Sequence, residues 1–356
     1  MKTKTLFITL LIIISISFGL KAQKMANLWY LPSMSLYQAE NLSNYDLLVI
    51  DPENLFTSQD KLDEILSINP KIKLLLYINA VEIFEPMFDD KPWGLKLLNE
   101  LQTKKQWWLR QPDGKKLGAW PEMKTLDMRF DCPEIEGQKY WQWIAQKYLK
   151  LLQDSRIKGC LIDNVWGDDR AGIEWLATFN GQKGLDLNDN KEADTNFKEI
   201  NASWTKGTRS FLNLIRQEKG NDFIIITNPG NLSYREVNGK QFENFPYLHH
   251  HMKGGSDWDI NMMIAKKYKI AIINPDEKDF LLGAVTSVML NNAYLCVGQN
   301  QLYHDYYNLE LGKILGKTKE ISKGLWSRPF GNGTVFIDTK AKKAWVEYKN
   351  ATKREK

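Results

Sequence analysis

Short strand-like segments, most of them apolar throughout, recur eight times along this chain of 356 residues. Segments such as 72–78 (IKLLLYI) and 223–227 (FIIIT) are apolar at nearly every position, as in parallel strands that are buried on both faces. In chain order, the predicted strands are residues 27–31, 45–50, 72–78, 157–162, 223–227, 241–243, 269–273 and 293–297.

Helical patterns occupy most of the intervals between these strands. The predicted helices are residues 59–67, 138–153, 196–220, 258–267 and 278–291. This alternation predicts an α/β protein, and eight strands fit a closed (β/α)8 TIM barrel better than an open, doubly wound sheet. An open sheet favours a glycine-rich phosphate turn after its first strand, whereas the segment Leu31, Pro32 and Ser33 at that point is no such turn. We therefore expect a barrel from about residue 27 to residue 316.

Two stretches of the sequence are additional to the strands and helices of a minimal (β/α)8 barrel. Residues 93–132 are rich in Trp and in turn-forming residues, and they predict an elaborated loop over the mouth of the barrel. Residues 323–348 predict two or three antiparallel strands, which would form a small β appendage and not an independent domain. The expected organisation is a barrel over residues 23–320, the appendage over 321–348 and a basic, disordered tail over 349–356.

The N-terminus has the pattern of a secretory signal peptide. Lys2 and Lys4 precede an apolar run at residues 6–20, which is short for a membrane span, and polar residues follow it. This pattern predicts a signal peptide over residues 1–22, with cleavage near Ala22, and a secreted or periplasmic mature protein that is not membrane-bound. A retained membrane anchor is the alternative.

Composition and cysteine usage exclude several function classes. The formal net charge is +5 and is spread along the chain, with no zinc-finger spacing and no dense basic stripe, so we expect no nucleic-acid partner. The three cysteines, Cys132, Cys160 and Cys296, cannot all pair with one another. Two of them lie within apolar strands, which indicates small buried side chains and not a nucleophile. No cofactor is expected.

Polar residues follow seven of the eight predicted strands. In a barrel these positions lie together at the C-terminal mouth, where such folds bind and transform their substrates. Aromatic rings near them would stack on sugars, although most of the thirteen Trp of a chain like this are expected to pack in the core. The candidate substrate-binding residues are Tyr30, Asp51, Glu53, Tyr77, Asn79, Trp120, Trp166, Asp168, Asn228, Asn274 and Gln299.

Asp163 and Glu243 are the best candidates for a catalytic pair. Asp163 directly follows the fourth strand, and Glu243 lies at the end of the sixth between Phe242 and Asn244. A pair of carboxyl groups cleaves a glycosidic bond when one protonates the leaving oxygen and the other attacks the sugar or activates water. We expect the two carboxyl groups to face one groove within about 10 Å of each other. The fallback carboxylates are Asp51, Glu53, Glu82 and Asp168.

Four motifs resemble, in the same order, those of glycoside hydrolase-like barrels related to the endo-α-1,4-polygalactosaminidases. The segment 159–165 (GCLIDNV) is similar to their strand with the pattern G-x-x-x-D-N-V. The other three similar segments are 108–114 (WLRQPDG) ahead of that strand, 242–244 (FEN) on the sixth strand and 326–333 (WSRPFGNG) after the barrel. The resemblance implies a retaining glycoside hydrolase in which Asp163 is the nucleophile and Glu243 the acid/base. It does not imply a particular sugar.

Two further features suggest metal sites, each with a simpler alternative. Residues 186–194 (DLNDNKEAD) resemble a calcium loop, but Lys191 replaces the usual Gly, and a solvated acidic loop explains the pattern better. His249, His250 and His251 are adjacent and cannot all face one ion, so a polar turn is the simpler explanation.

Three functions compete with glycoside hydrolysis. A non-catalytic glycan-binding barrel would keep the groove without using the carboxyl groups for chemistry. Deacetylation or another metal-assisted hydrolysis would need His and Asp ligands, for which only His249–His251 and His304 are available. A purely structural envelope protein would leave the polar mouth unexplained. The sequence indicates no oligomeric state.

Overall fold

The computed structural model of the chain describes residues 22–86, 89–166, 173–228, 234–246 and 258–349. Most of the predicted leader and most of the basic tail lie outside these residues. The ten strands found before residue 300 are β1 Met25–Trp29, β2 Leu47–Ile50, β3 Lys73–Asn79, β4 Glu82–Phe84, β5 Met123–Thr125, β6 Ile157–Asp163, β7 Ile224–Thr227, β8 Gly239–Phe245, β9 Ile270–Pro275 and β10 Ala293–Gln299.

Eight of these strands form a closed parallel barrel. Their order around it is β1-β10-β9-β8-β7-β6-β3-β2, and β1 pairs in parallel with both β10 and β2 to close the ring. The predicted (β/α)8 barrel is therefore confirmed. The two remaining strands, β4 and β5, form a separate antiparallel ribbon at the mouth.

Helices lie between the barrel strands. They are α1 Leu36–Leu42, α2 Asn54–Thr57, α3 Gln59–Ile68, α4 Pro92–Gln102, α5 Tyr140–Leu151, α6 Phe197–Lys219, α7 Trp258–Ala265 and α8 Phe280–Met289. The five predicted helices correspond to α3, α5, α6, α7 and α8.

The interpretation of residues 93–132 as a loop is wrong in its first part. Helix α4 occupies residues 92–102, with Pro92 in its first turn and Leu97, Leu98 and Leu101 buried. Proline has a backbone angle that suits the first position of a helix, so it begins this one. The rest of the stretch contains β5, which pairs with β4.

Side chains at every second position of a strand point to the same side, so the residues that line the barrel interior are followed by residues that line its mouth. Leu75 and Leu161 belong to the apolar core within the barrel. Side chains alternate between the two faces of a strand, so Tyr77 and Asp163, two residues further along, point to the same side at the C-terminal end. The same two-residue step relates Ile226 to Asn228, and it explains why an apolar core ends in a polar mouth.

A four-stranded antiparallel sheet follows the barrel, whereas the sequence predicts two or three strands there. Its strands are β11 Lys319–Ser322, β12 Leu325–Pro329, β13 Gly333–Asp338 and β14 Lys343–Tyr348, in that order. Buried Phe330, Val335 and Ile337 join Val285 and Val288 of α8 in one apolar cluster. The predicted β appendage therefore packs on the barrel.

Among the described residues, no helix has the length and apolar character needed to cross a membrane.

Candidate active site

Asp163 is the last residue of β6, and its half-buried carboxylate accepts three hydrogen bonds. The Tyr77 hydroxyl donates to Oδ2 at 2.8 Å, the backbone N–H of Asn164 donates to Oδ1 at 2.9 Å, and the side-chain amide of Asn228 donates to Oδ1 at 3.0 Å. These donors come from three neighbouring barrel strands or their ends. They hold the carboxylate in one orientation and favour its ionised form.

Glu243 lies close to Asp163 across the end of β7. The amide nitrogen Nδ2 of Asn228 donates to Glu243 Oε2 at 3.0 Å and to Asp163 Oδ1 at the same distance. The two acceptor oxygens therefore cannot be further apart than twice 3.0 Å. The structure thus brings the two candidate carboxyl groups together at the mouth, and Asn228, predicted as a substrate-binding residue, bridges them.

Burial and charge act on Asp163 in opposition to its hydrogen bonds. Burial raises the pKa of Asp163 most strongly, the hydrogen bonds from Tyr77, Asn164 and Asn228 lower it, and the nearby charge of Glu243 raises it, with a net increase. Burial and the charge of Asp163 also hold the pKa of the Tyr77 hydroxyl well above its ordinary value. Tyr77 therefore keeps its proton and remains a donor to the carboxylate.

Tyr30 completes the floor of the mouth. Its ring centroid is 4.5 Å from that of Tyr77, and burial raises its pKa well above the ordinary value. The backbone N–H of Tyr30 donates to Oδ1 of Asn300, which adopts a left-handed backbone conformation with φ 56° after β10. Two neutral phenols thus lie against the carboxylate pair.

Glu82 supports Asp163 through Asn164. Its Oε1 accepts from the backbone of Ala119 at 2.8 Å and from the Thr125 hydroxyl at 3.2 Å, and its Oε2 accepts from Asn164 Nδ2 at 3.2 Å. Asn164 has φ 55°, a left-handed conformation that Asn tolerates better than most residues. Burial raises the pKa of Glu82 to about 7. The sequence predicts Glu82 only as a fallback carboxylate, because the residues that donate hydrogen bonds to its carboxylate are distant along the chain.

The sequence profile of a known family covers most of the chain. The profile described as hypothetical glycosyl hydrolase family 15 matches residues 67–334, three quarters of the 356 residues. The chain belongs to hypothetical glycosyl hydrolase family 15. That description is of a glycosyl hydrolase family and defines no substrate. The predicted glycoside hydrolase-like family is confirmed, whereas the relation to the polygalactosaminidases stays a prediction.

Solved structures similar to this chain include an alpha-galactosidase and a cycloalternan-degrading enzyme. The alpha-galactosidase from Lactobacillus brevis has 7% identity and a TM-score of 0.49, over 88% of this chain and 46% of that one. The cycloalternan-degrading enzyme from Trueperella pyogenes in complex with isomaltose has 11% identity and a TM-score of 0.43, over 80% and 44%. The chain thus spans less than half the length of these proteins. No curated protein sequence matches it.

Asp51 and Glu53, two carboxylates predicted to bind substrate, lie after β2. Burial raises the pKa of Asp51 to about 6, and its Oδ1 accepts the backbone N–H of Glu53. Glu53 is 3% exposed, and its carboxylate accepts the backbone N–H groups of Trp93 and Gly94 in the first turn of α4. Glu53 therefore anchors the N-terminus of this helix, where a negative charge is favourable.

The predicted amide ligands lie at different depths. Asn79 ends β3, and its Oδ1 accepts the backbone N–H groups of Val81 and Glu82, so it shapes the turn into β4. Asn274 is buried and pairs in register with Glu243 across β8 and β9. Gln299 is exposed at the end of β10. Asn274 therefore lies next to the pair, whereas Gln299 lies at the rim.

The two predicted stacking tryptophans differ in exposure. Trp120 is 53% exposed beside Phe179, with ring centroids 6.0 Å apart, and it is open to a sugar ring. Trp166 is only 4% exposed and packs against Trp175 and Trp204, with centroids at 5.2 Å and 6.2 Å. The prediction that Trp166 stacks on a sugar is therefore wrong, because its ring packs with those of Trp175 and Trp204 in a local core.

The remaining candidates are cysteines, histidines and the acidic loop. All three cysteines are free and buried, and the burial of Cys160 and Cys296 was predicted from their strands. Burial raises the pKa of Cys160 to about 12. Asp186 accepts the backbone N–H groups of Asn188, Asn190 and Lys191, so its oxygens order the loop itself. The described residues contain no group of three or more His, Cys, Asp or Glu that could hold a metal. Asp168 and residues 249–251 lie outside the described residues.

Proposed function

We propose that the chain hydrolyses a glycosidic bond of an oligo- or polysaccharide with net retention, using Asp163 as nucleophile and Glu243 as acid/base. The observation that carries this proposal is the hydrogen bonding of both carboxylates to Asn228 Nδ2, at 3.0 Å each. A planar amide presents its two hydrogens about 120° apart, so the acceptor oxygens would be roughly 5 Å apart, as in retaining enzymes. Inverting enzymes need roughly 6.5–9.5 Å to admit a water molecule.

The hydrogen-bond donors support the division of roles. Asp163 accepts from Tyr77, Asn164 and Asn228, and these donors favour a charged carboxylate. Two carboxyl groups this close disfavour simultaneous ionisation, and a retaining mechanism needs the charge on the nucleophile and the proton on the acid/base. A charged Asp163 is ready to attack, and a protonated Glu243 is ready to donate.

The reaction would take two steps. In the first, an Asp163 oxygen forms a bond to the anomeric carbon while Glu243 protonates the departing glycosidic oxygen, and the leaving sugar alcohol is released. In the second, Glu243 takes a proton from water, whose oxygen attacks the same carbon and displaces Asp163. Both groups return to their starting protonation states. Tyr77 remains hydrogen-bonded to Asp163 and positions it.

The same proposal includes export and a choice of substrates to test. The predicted signal peptide supports action on glycans outside the cytoplasm. The four motifs similar to the polygalactosaminidase-related barrels support including amino-sugar polymers in the substrate panel. The exposed Trp120 supports an extended substrate, because an indole at the rim offers a stacking surface for a further sugar ring.

The test is glycan release from a panel of neutral, acidic and amino-sugar polysaccharides by wild type, Asp163→Asn and Glu243→Gln. Both variants keep the side-chain shape, and we expect turnover to fall at least about 10³-fold while glycan binding persists. Asp60→Asn and Glu218→Gln, at exposed helical positions, are the matched controls and should keep full activity. Full activity in both site variants would contradict the proposal. Wild type that binds glycan and never cleaves any member would favour a binding module.

A further inference from the structure

A cavity lies at the opposite end of the barrel from Asp163. Its volume is about 460 Å³, and its walls include Tyr268 and Lys269 just before β9, Asn291 and Asn292 just before β10, and Arg328 of the C-terminal sheet. The N-terminal ends of the strands and the packed sheet therefore line this open cavity together. Nothing in the proposed hydrolysis uses this end of the barrel.

The lining of this cavity is strongly basic. Lys266, Lys269, Lys317 and Arg328 contribute to it, and none of its ten lining residues is acidic. Within the described residues, the ion pair found for this set joins Lys269 to Asp222 at 3.6 Å, and both of those side chains are exposed. Four cations around one concavity create a positive potential that attracts anions.

Arg328 is the buried member of the basic set, with 4% exposure. Its guanidinium donates to the carbonyl oxygens of Gly316 and Val288 and to Oδ1 of Asn291, and the part of the chain that the structure describes gives it no carboxylate partner. These bonds use three of its five N–H groups. A buried cation balanced only by neutral acceptors is costly, and burial lowers its pKa accordingly.

Tyr268 lies in the same wall and packs against the apolar core. Its hydroxyl is shielded from solvent and has no hydrogen-bond partner among the described residues. Buried hydroxyl groups are rarely left without a partner. Because this hydroxyl is shielded, the donors for an acceptor in the cavity are the remaining guanidinium hydrogens of Arg328.

We propose that this basal cavity binds an anionic ligand through a carboxylate or phosphate group, with Arg328 as the anchor. Lys266, Lys269 and Lys317 attract the ligand, and the guanidinium of Arg328 binds its oxygens. The volume suits a ligand of the size of an acidic sugar or a sugar phosphate. The site is separate from the carboxylate pair and does not depend on the hydrolytic function.

The probes are inorganic phosphate and glucuronate, with glucose as the neutral reference, measured by titration calorimetry on the whole chain. We expect at least one anion to bind with a Kd below about 10 mM, and glucose not to bind at this cavity. The double variant Lys266→Gln/Lys317→Gln removes two exposed charges and leaves Arg328 in place. It should weaken anion binding about tenfold, and added salt should weaken it further in wild type.

The matched control is Lys150→Gln/Lys198→Gln, which removes two exposed lysines from α5 and α6. Far-UV circular dichroism checks that all variants fold. Binding of phosphate alone identifies phosphate as the recognised group, and binding of glucuronate alone identifies a carboxylate. No anion binding below about 10 mM would overturn the proposal, and so would equal weakening by the cavity and control variants.

Discussion

Asp163 and Glu243 accept hydrogen bonds from the same nitrogen atom, Nδ2 of Asn228, at 3.0 Å each. The three residues come from the C-terminal ends of β6, β7 and β8, which are neighbours in the barrel. Because one rigid amide bridges both carboxylates, their separation depends on Asn228 as well as on the strands. Asn228 is therefore a positioning residue for the proposed reaction.

Replacement of Asn228 by Ala should lower kcat about 10²-fold with little change in fold stability beyond a small cavity effect. The loss of a donor that favours ionised Asp163 should also move the acid limb of the pH profile of kcat/KM upward. Asn228→Ser retains a hydroxyl donor and should recover part of the rate. An unchanged pH profile in Asn228→Ala would show that the amide does not act on the pair.

Tyr77→Phe should slow the reaction about tenfold to a hundredfold, because the hydroxyl donates to Asp163 Oδ2 at 2.8 Å. The same change should raise the pKa of Asp163 further and shift the acid limb to higher pH. Tyr140→Phe is the control, since it removes a buried hydroxyl that donates to the Ala80 carbonyl. Steady-state kinetics across pH measures the rate and the acid limb for both variants. Equal effects of the two variants would refute a specific role for Tyr77.

Glu82 should make stability depend on pH. Burial raises its folded-state pKa to about 7, so the folded state binds a proton that the unfolded state loses near pH 4.5. Stability from this group is complete below about pH 4.5 and is lost as the pH rises through about 7, by roughly 3 kcal/mol.

Urea unfolding followed by circular dichroism at about pH 4.5 and about pH 8 measures this dependence. Glu82→Gln should flatten it, and Glu40→Gln, at an exposed position of α1, should leave it as in wild type. The same slope in wild type and Glu82→Gln would contradict the assignment.

Gly207 allows α6 to pack against the segment that follows β5. A Cβ at this position would lie 1.8 Å from the carbonyl oxygen of Met128, and the Phe130 N–H donates to the Ser203 carbonyl one turn away. Gly207→Ala should therefore destabilise the protein by more than about 2 kcal/mol, despite the higher helix propensity of Ala. Thermal unfolding tests this, with Gly331→Ala as control, where a Cβ meets no atom closer than 3.5 Å. Equal melting temperatures would refute the packing argument.

The barrel was predictable from the sequence because each of its strands has a pattern that lies within a few consecutive residues. Parallel strands buried on both faces appear as short apolar runs, and the polar residue after each run falls at the mouth. Asp163 and Glu243 could be selected in this way. Helix α1 was not predicted because it has only seven residues, although Ser35 and Gln38 form a capping box at its start.

The support around the pair was not predictable because it depends on contacts between distant segments. Asn164 meets Glu82 from 82 residues away, and Glu53 meets Gly94 from 41 residues away. From the sequence alone, a polar residue that faces substrate near a strand end cannot be distinguished from one that caps a helix. Trp166 illustrates the same limit, since its burial comes from Trp204 on α6.

The most direct measurement of the central claim is mass spectrometry of the enzyme after reaction with a 2-fluoro glycosyl fluoride of the sugar that wild type releases. Such a reagent slows the second step, so a covalent glycosyl-enzyme accumulates. We predict a mass increase of one fluorosugar on the peptide that contains Asp163, and none in Asp163→Asn. A label on any other carboxylate, or hydrolysis with inversion and no label, would contradict the assignment of Asp163 as nucleophile.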